Sequence, residues 1–129
     1  MLFRSGIALL AAERATPEAL DGLAELAGVL DELLEDFGSY RQVDVRFHVA
    51  LAETTGCAGL VASMTEMQGA MSGLISLIAH PPEVLDSSNR QHRRLLAAVR
   101  RHDEAAAARE MAEHLRGTEH ILAGLLPKA

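Results

Sequence analysis

Histidine is the residue type in this sequence best suited to chemistry, and the chain contains six. His48 shares a predicted helix face with Leu51, and Asp44 lies one turn earlier on that face. His92 begins a stripe of apolar residues, and His114 lies on the apolar face of the last predicted helix. One aspartate and three histidines on three helices are therefore expected to point into the interior. The remaining histidines are expected to face solvent: His80, His102 and His120.

An inward Asp44 needs a compensating charge or hydrogen bonds, because an unpaired carboxylate is costly to bury. A divalent metal ion would compensate it, and imidazole with carboxylate suits zinc first, then nickel, manganese, cobalt or iron. Four protein ligands would leave coordination positions open to water or to an anionic ligand. Spacing alone leaves a plainer alternative open, since an Asp/His pair one turn apart is common and an inward histidine can be a hydrogen-bonded core residue.

Six helices are predicted to position these side chains, and no segment of useful length alternates polar and apolar residues as a strand would. Their expected ranges are 2–14, 17–37, 39–55, 58–79, 88–101 and 104–125. The fourth helix carries an apolar stripe at steps of four and three, which we expect to be ordinary core: Leu60, Met64, Met67, Met71, Leu74 and Ile78. The stripe of the sixth helix ends with Ile121, Leu122 and Leu125.

Capping residues set the predicted helix boundaries. Thr16 caps a helix whose first position is Pro17, where a missing N–H is harmless. Capping boxes are predicted where Ser39 and Ser88 each precede a glutamine by three residues. Asp103 is expected to cap the last helix.

The composition of the whole sequence bounds the fold class and the partners. At 129 residues the chain fits one domain spanning 1–129, and 49% apolar residues with only 3% aromatics favour close helix packing. A formal net charge of −6 argues against direct binding to nucleic acid. A single cysteine, Cys57, excludes an internal disulfide and fits a cytoplasmic protein. The longest nearly uncharged stretch, 67–80, is too short to span a membrane.

Several runs together resemble the C-terminal effector-binding (FCD) domain of FadR-type regulators in the GntR superfamily. They are DVRFHVALA at 44–52, QHRRLLAAV at 91–99, MAEHL at 111–115, AAERAT at 11–16 and the cap at Asp103. The resemblance covers nearly the whole chain. It implies an all-α, antiparallel bundle of about six helices that holds a divalent metal on Asp44, His48, His92 and His114.

The resemblance also implies partners. In such regulators a small organic acid, a carboxylate or sugar acid, reaches the metal's open positions, and the domain forms a homodimer. Binding then alters how an attached N-terminal winged helix-turn-helix sits on DNA. The chain is expected to lack this module and to be an excised domain, a truncated product or a stand-alone relative. Candidate effector contacts are Arg4, Arg46, Cys57 and Asn89, with Cys57 standing where many relatives have Asn and expected to be at least half-buried.

Two other functions stay open at this point. A metal-dependent enzyme acting on a small acid would need a placed acid or base, and Glu53 and Glu66 are the only carboxylates near the relevant helices, with Glu53 facing away. A metal-free dimerisation module would need neither metal nor effector. The sensor without enzymatic activity is the preferred interpretation.

Overall fold

The computed structural model describes residues 2–75 and 80–123, with side chains over 3–75 and 80–120. Within these ranges the chain forms helices and no strand, which confirms the all-α prediction. The helices are α1 (Leu2–Arg14), α2 (Pro17–Asp31), α3 (Phe37–Glu53), α4 (Ala58–Ile75), α5 (Pro82–Arg100) and α6 (Glu104–Ala123). No helix in the described ranges is both long and apolar enough to cross a membrane.

Two of the predicted caps are confirmed. The Thr16 hydroxyl accepts a hydrogen bond of 3.2 Å from the Ala19 N–H, and Pro17 occupies the first helical position. The Asp103 carboxylate accepts a hydrogen bond of 3.0 Å from the Ala106 N–H at the start of α6. Each side chain satisfies a backbone donor that the helix itself leaves unpaired.

The predicted boundary between α2 and α3 is wrong. The α2 helix ends at Asp31, and Phe37 is the first residue of α3 rather than the last of α2. Asp36 is the N-cap, because its carboxylate accepts a 3.1 Å hydrogen bond from the Ser39 N–H. The Ser39 hydroxyl donates to the same carboxylate at 2.8 Å, so it does not cap the helix itself.

The predicted start of α5 at Ser88 is also wrong, because the helix begins two turns earlier at Pro82. Proline fits there since the first helical turn needs no backbone N–H from it. The predicted extension of α4 over 76–79, including Ile78, lies outside the described residues. So do Leu125 and the side chains of Ile121 and Leu122.

The core lies between α1, α3, α5 and α6, while α2 packs on α3 and α5. The largest fully buried apolar side chains are Ile7, Leu23, Leu30, Tyr40, Phe47, Leu51, Met64, Leu95 and Met111. The α4 helix packs chiefly on α3, at the side of the bundle.

The predicted core stripe of α4 is only partly buried. Met64 is fully buried, but Leu74 is 50% exposed, and the polar Gln68 is buried instead. Met67 and Met71 are half-buried. Because α4 lies at the side of the bundle, part of its apolar face is not covered by the other described residues.

Candidate metal centre

Three helices bring the predicted ligand residues together in the interior. The α3 helix carries Asp44 and His48 one turn apart, α5 carries His92, and α6 carries His114. All four are buried, with exposed fractions of 6%, 2%, 1% and 8%. The three histidines offer ring nitrogens that lie within 4.8 Å of one another. The inward direction predicted for these residues is therefore confirmed.

Three of the separations between candidate ligand atoms match those expected around one ion. Asp44 Oδ1 lies 3.5 Å from His48 Nε2 and 3.4 Å from His92 Nε2. His114 Nε2 lies 3.3 Å from His48 Nε2. Two atoms bound to one ion at about 2.1 Å and at tetrahedral angles would lie about 3.4 Å apart.

Some of these atoms have no hydrogen-bond partner among the described residues. Asp44 Oδ1 and His92 Nε2 are buried and unpaired, as are the Nδ1 atoms of His48 and His92. Leaving such groups unsatisfied costs about 1–3 kcal/mol each. A cation bound by the carboxylate oxygen and the Nε2 atoms would satisfy the first two, so the residues present fit a divalent metal ion.

Gln91 contacts one candidate ligand, a contact that the sequence did not predict. The ring nitrogen Nδ1 of His114 lies 2.7 Å from Gln91 Oε1. An amide oxygen only accepts hydrogen bonds, so Nδ1 carries the proton, and Nε2, which lies 3.3 Å from His48 Nε2, carries the lone pair. This is the usual way in which a neighbouring group fixes the tautomer of a metal-binding histidine.

Burial and neighbouring charges set the protonation states at the site. Burial would raise the pKa of Asp44, but His48, His92 and Arg41 outweigh it and hold that pKa well below its usual range. Burial lowers the pKa of His92 to about 4, against the attraction of Asp44. Burial, with His92 and His48 adding to it, also lowers the pKa of His114. At neutral pH these two imidazoles are neutral beside an ionised carboxylate, as metal binding requires.

Arg41 completes the site and was not predicted as a site residue. Its Nη1 donates to Asp44 Oδ2 at 2.6 Å, one turn earlier on α3. Its Nε and Nη2 atoms are buried and have no partner among the described residues. The three-residue spacing to Asp44 is the sequence signal that could have identified it.

A cavity of about 60 Å³ opens beside the candidate ligands. The two guanidinium groups that line it belong to Arg4 and Arg41. Other lining residues include Tyr40, Asp44, His48, His80, His114 and Thr118. The cavity therefore combines ring nitrogens and a carboxylate on one side with two cations.

Arg4 is buried at 5% exposure, although it carries a charge. The hydrogen-bond acceptors that it meets among the described residues are thioether sulfurs: Met67 Sδ, 2.9 Å from Nε, and Met71 Sδ. Thioether sulfur is a weak acceptor. These two methionines were predicted to be ordinary core, but they contact the buried guanidinium group of Arg4.

The other candidate effector contacts lie outside the cavity lining. Asn89 is buried, accepts a 2.7 Å hydrogen bond from the Tyr40 hydroxyl and donates to Asp31 at 3.0 Å, so it braces α5 against α3 and α2. Arg46 is exposed and lines a surface groove between α2 and α3. Cys57 is exposed, and the prediction that it is at least half-buried is wrong, because it lies in the turn between α3 and α4.

Of the histidines expected to face solvent, His102 and His120 are exposed as predicted. His102 also lies 2.8 Å from the Ala12 carbonyl oxygen through Nδ1. His80 is less exposed than predicted: it stacks on Phe37 at a centroid distance of 4.4 Å and lines the cavity.

Comparisons with known proteins support the same kind of domain. The sequence profile of the FCD domain matches residues 3–117. Proteins described as the HTH-type transcriptional repressor NanR, from Escherichia coli K12 and Shigella flexneri, are 32% identical over 123 residues, covering 89% of this chain. That alignment covers 44% of each relative, so the chain spans less than half the length of these relatives. A solved structure, E. coli McbR/YncC, has a TM-score of 0.87 at 23% identity, over 96% of this chain and 64% of that one, which shows a shared fold.

Proposed function

The chain belongs to the FCD domain family, and from that premise we propose that it is the effector-sensing and dimerisation domain of a bacterial transcription regulator. The observation that carries the proposal is the convergence of Asp44, His48, His92 and His114 beside a cavity lined by Arg4 and Arg41. A site of this composition suits a metal ion and an acid together.

The metal would be held by Asp44 Oδ1 and by the Nε2 atoms of the three histidines. Zinc is the first choice, since three imidazoles and one carboxylate suit it, with nickel, manganese, cobalt or iron as alternatives. A bound divalent ion would supply positive charge and open positions for an oxygen of the effector. Gln91 would keep His114 in the ligating tautomer, and Arg41 would keep Asp44 ionised and oriented.

The effector would be a small organic acid bound in the cavity. The buried Arg4 supports this proposal, because two thioether sulfurs leave its charge poorly compensated and an incoming carboxylate would compensate it. The cavity of about 60 Å³ is small beside ligand pockets of about 300–1,000 Å³, which favours a compact acid. The proposal gives Arg46, Cys57 and Asn89 no direct effector contact, because none of them lines the cavity.

Effector binding would reach DNA through α1. Arg4 lies on α1, which packs extensively on α6, while the ligand residues lie on α3, α5 and α6. An acid that binds Arg4 and the metal together would fix α1 relative to those helices. A winged helix-turn-helix attached before α1 would then change its position on operator DNA in the cytoplasm. The domain itself would not bind DNA, because its net charge is −6.

The dimer would form through α4. The outward face of this helix is rich in small and apolar residues, with Glu66 the only charged residue of the helix. Its exposed residues include Ala62, Gly69, Ala70 and Leu74. A second copy of the domain is the occupant we propose, since an apolar face that stays in water is unfavourable and an isologous contact of two such helices would bury it.

A metal-dependent enzyme and a metal-free module are the rival functions. The enzyme has less support because Glu53 and Glu66 are exposed on outward faces and Asp44 is the only carboxylate among the described cavity residues. The deciding experiment is metal analysis of the purified chain, followed by titration with small hydroxy acids. One bound ion per chain and saturable acid binding without turnover would support the sensor. Turnover would favour the enzyme, and a chain that binds no metal and is equally stable in chelator would favour the module.

A further inference from the structure

The fixed charges of the cavity are unbalanced. Its charged lining residues, in the part of the chain that the structure describes, are two arginines and one aspartate, which leaves one positive charge in excess. A divalent ion would raise the excess to three. A monocarboxylate would leave two of these charges uncompensated in a site with little access to water, and a dicarboxylate would leave only one.

The free edge of Arg41 has the shape of a carboxylate site. Nη1 donates to Asp44, and Nε and Nη2 have no partner in the part of the chain that the structure describes. These two nitrogens lie on the same edge of the guanidinium plane, where their N–H groups point in parallel. Such an edge binds the two oxygens of one carboxylate together, in the strongest geometry that an arginine offers.

Arg41 and the metal would bind different ends of an acid. The Asp44 carboxylate joins them, since Oδ2 accepts from Arg41 while Oδ1 faces His48 and His92. An acid bound at the metal by one end would therefore have a second anion site on the arginine that holds the Asp44 carboxylate. Resting on the proposed function, we propose that the effector is a short dicarboxylate, with one carboxylate at the metal and the other on the Nε and Nη2 edge of Arg41.

The test compares two acids that differ in one carboxylate. Calorimetry of the zinc-loaded chain would measure malate against 2-hydroxybutyrate, which keeps the hydroxy acid end but lacks the second carboxylate. Malate is expected to bind about 10- to 100-fold more tightly, as a charge-assisted, two-bond contact provides. In Arg41→Gln the ratio of the two affinities should fall to about threefold or less, and Arg41→Lys should restore part of it.

The ratio of the two affinities is the readout, because a general weakening of the site lowers both affinities and leaves their ratio unchanged. Zinc content is measured on every variant, so a loss of the metal is seen separately from a loss of acid selectivity. Arg90→Gln is the matched control, since Arg90 is an exposed arginine that pairs with Asp86 outside the cavity, and its ratio should equal that of the native chain.

Three results would overturn the dicarboxylate assignment. They are equal binding of the two acids by the native chain, a ratio unchanged in Arg41→Gln, and tighter binding of phosphoglycolate than of malate, which would make the second anion a phosphate. Each of them leaves the metal-dependent sensor standing as long as zinc is bound and an acid binds to it. A native chain that takes up no metal would instead overturn the proposed function itself.

Discussion

Replacing His92 with alanine separates the packing role of this residue from its proposed metal-binding role. The imidazole is 1% exposed and its ring lies 4.5 Å from the Phe47 ring, so its loss leaves a void in the core. A void of this kind costs about 2–4 kcal/mol, and removal of the two ring nitrogens without a partner offsets part of that cost in the metal-free chain. The stabilisation that zinc adds is a separate quantity and depends on the ligand set.

For the native chain, zinc at about 100 times its dissociation constant would add about 2.7 kcal/mol to the free energy of unfolding. In a domain of this size that is an increase in Tm of about 10 °C. His92→Ala removes one of four ligands, so at the same zinc concentration the increase should fall to about 3 °C or less. Tm is measured for each protein in chelator and in zinc, and the difference between the two is compared.

His120→Ala is the control, because His120 is an exposed histidine on α6 that can bind zinc only adventitiously. It should keep the full increase. The reasoning is refuted if His92→Ala loses stability in chelator yet gains as much from zinc as the native chain does. His92 would then be a core residue and not a ligand.

Three further outcomes are expected. In the metal-free chain the pKa of His92 is lowered, so the unfolded state binds more protons than the folded state between about pH 6.5 and 4. The midpoint of denaturant unfolding should therefore fall as the pH falls through that window. A flat or rising midpoint would contradict this. Gln91→Leu should weaken zinc binding about 10- to 100-fold, measured by competition with a chelating dye, and unchanged affinity would argue against an orienting role. It should also lower the Tm of the metal-free chain, because Nδ1 of His114 loses its hydrogen-bond partner. Ala70→Arg should convert a dimer to monomer in sedimentation analysis, and a dimer that survives it would move the interface away from α4.

Helical periodicity predicted the inward direction of the candidate ligand residues, because residues at helical spacing lie on one face of a helix. Asp44 and His48 are one turn apart, so any α-helix through this segment places them on the same face. His92 and His114 each lie among apolar residues that had to be buried. The resemblance to the effector domains then predicted that residues on three different helices form one site, which spacing within a single helix could not predict.

The features that the sequence did not predict depend on contacts between helices or on which of two neighbouring residues caps a helix. Asp36 and Ser39 are both good capping residues, and only the folded turn decides that the aspartate accepts the bond. Gln91 reads as half of a capping box until α6 brings His114 within 2.7 Å of it. Leu74 reads as core because periodicity marks an apolar face without saying whether another element covers it.

The central claim is that one metal ion is shared by Asp44 and the three histidines. Native mass spectrometry of the purified chain, and of the same chain after removal of metal and addition of zinc, tests it most directly. We predict one ion per chain in the native protein and less than a tenth of that occupancy in a variant combining Asp44→Ala with His48→Ala, compared at equal zinc. A native chain without a bound ion after zinc addition, or a double variant that holds its ion as well as the native chain does, would contradict the claim.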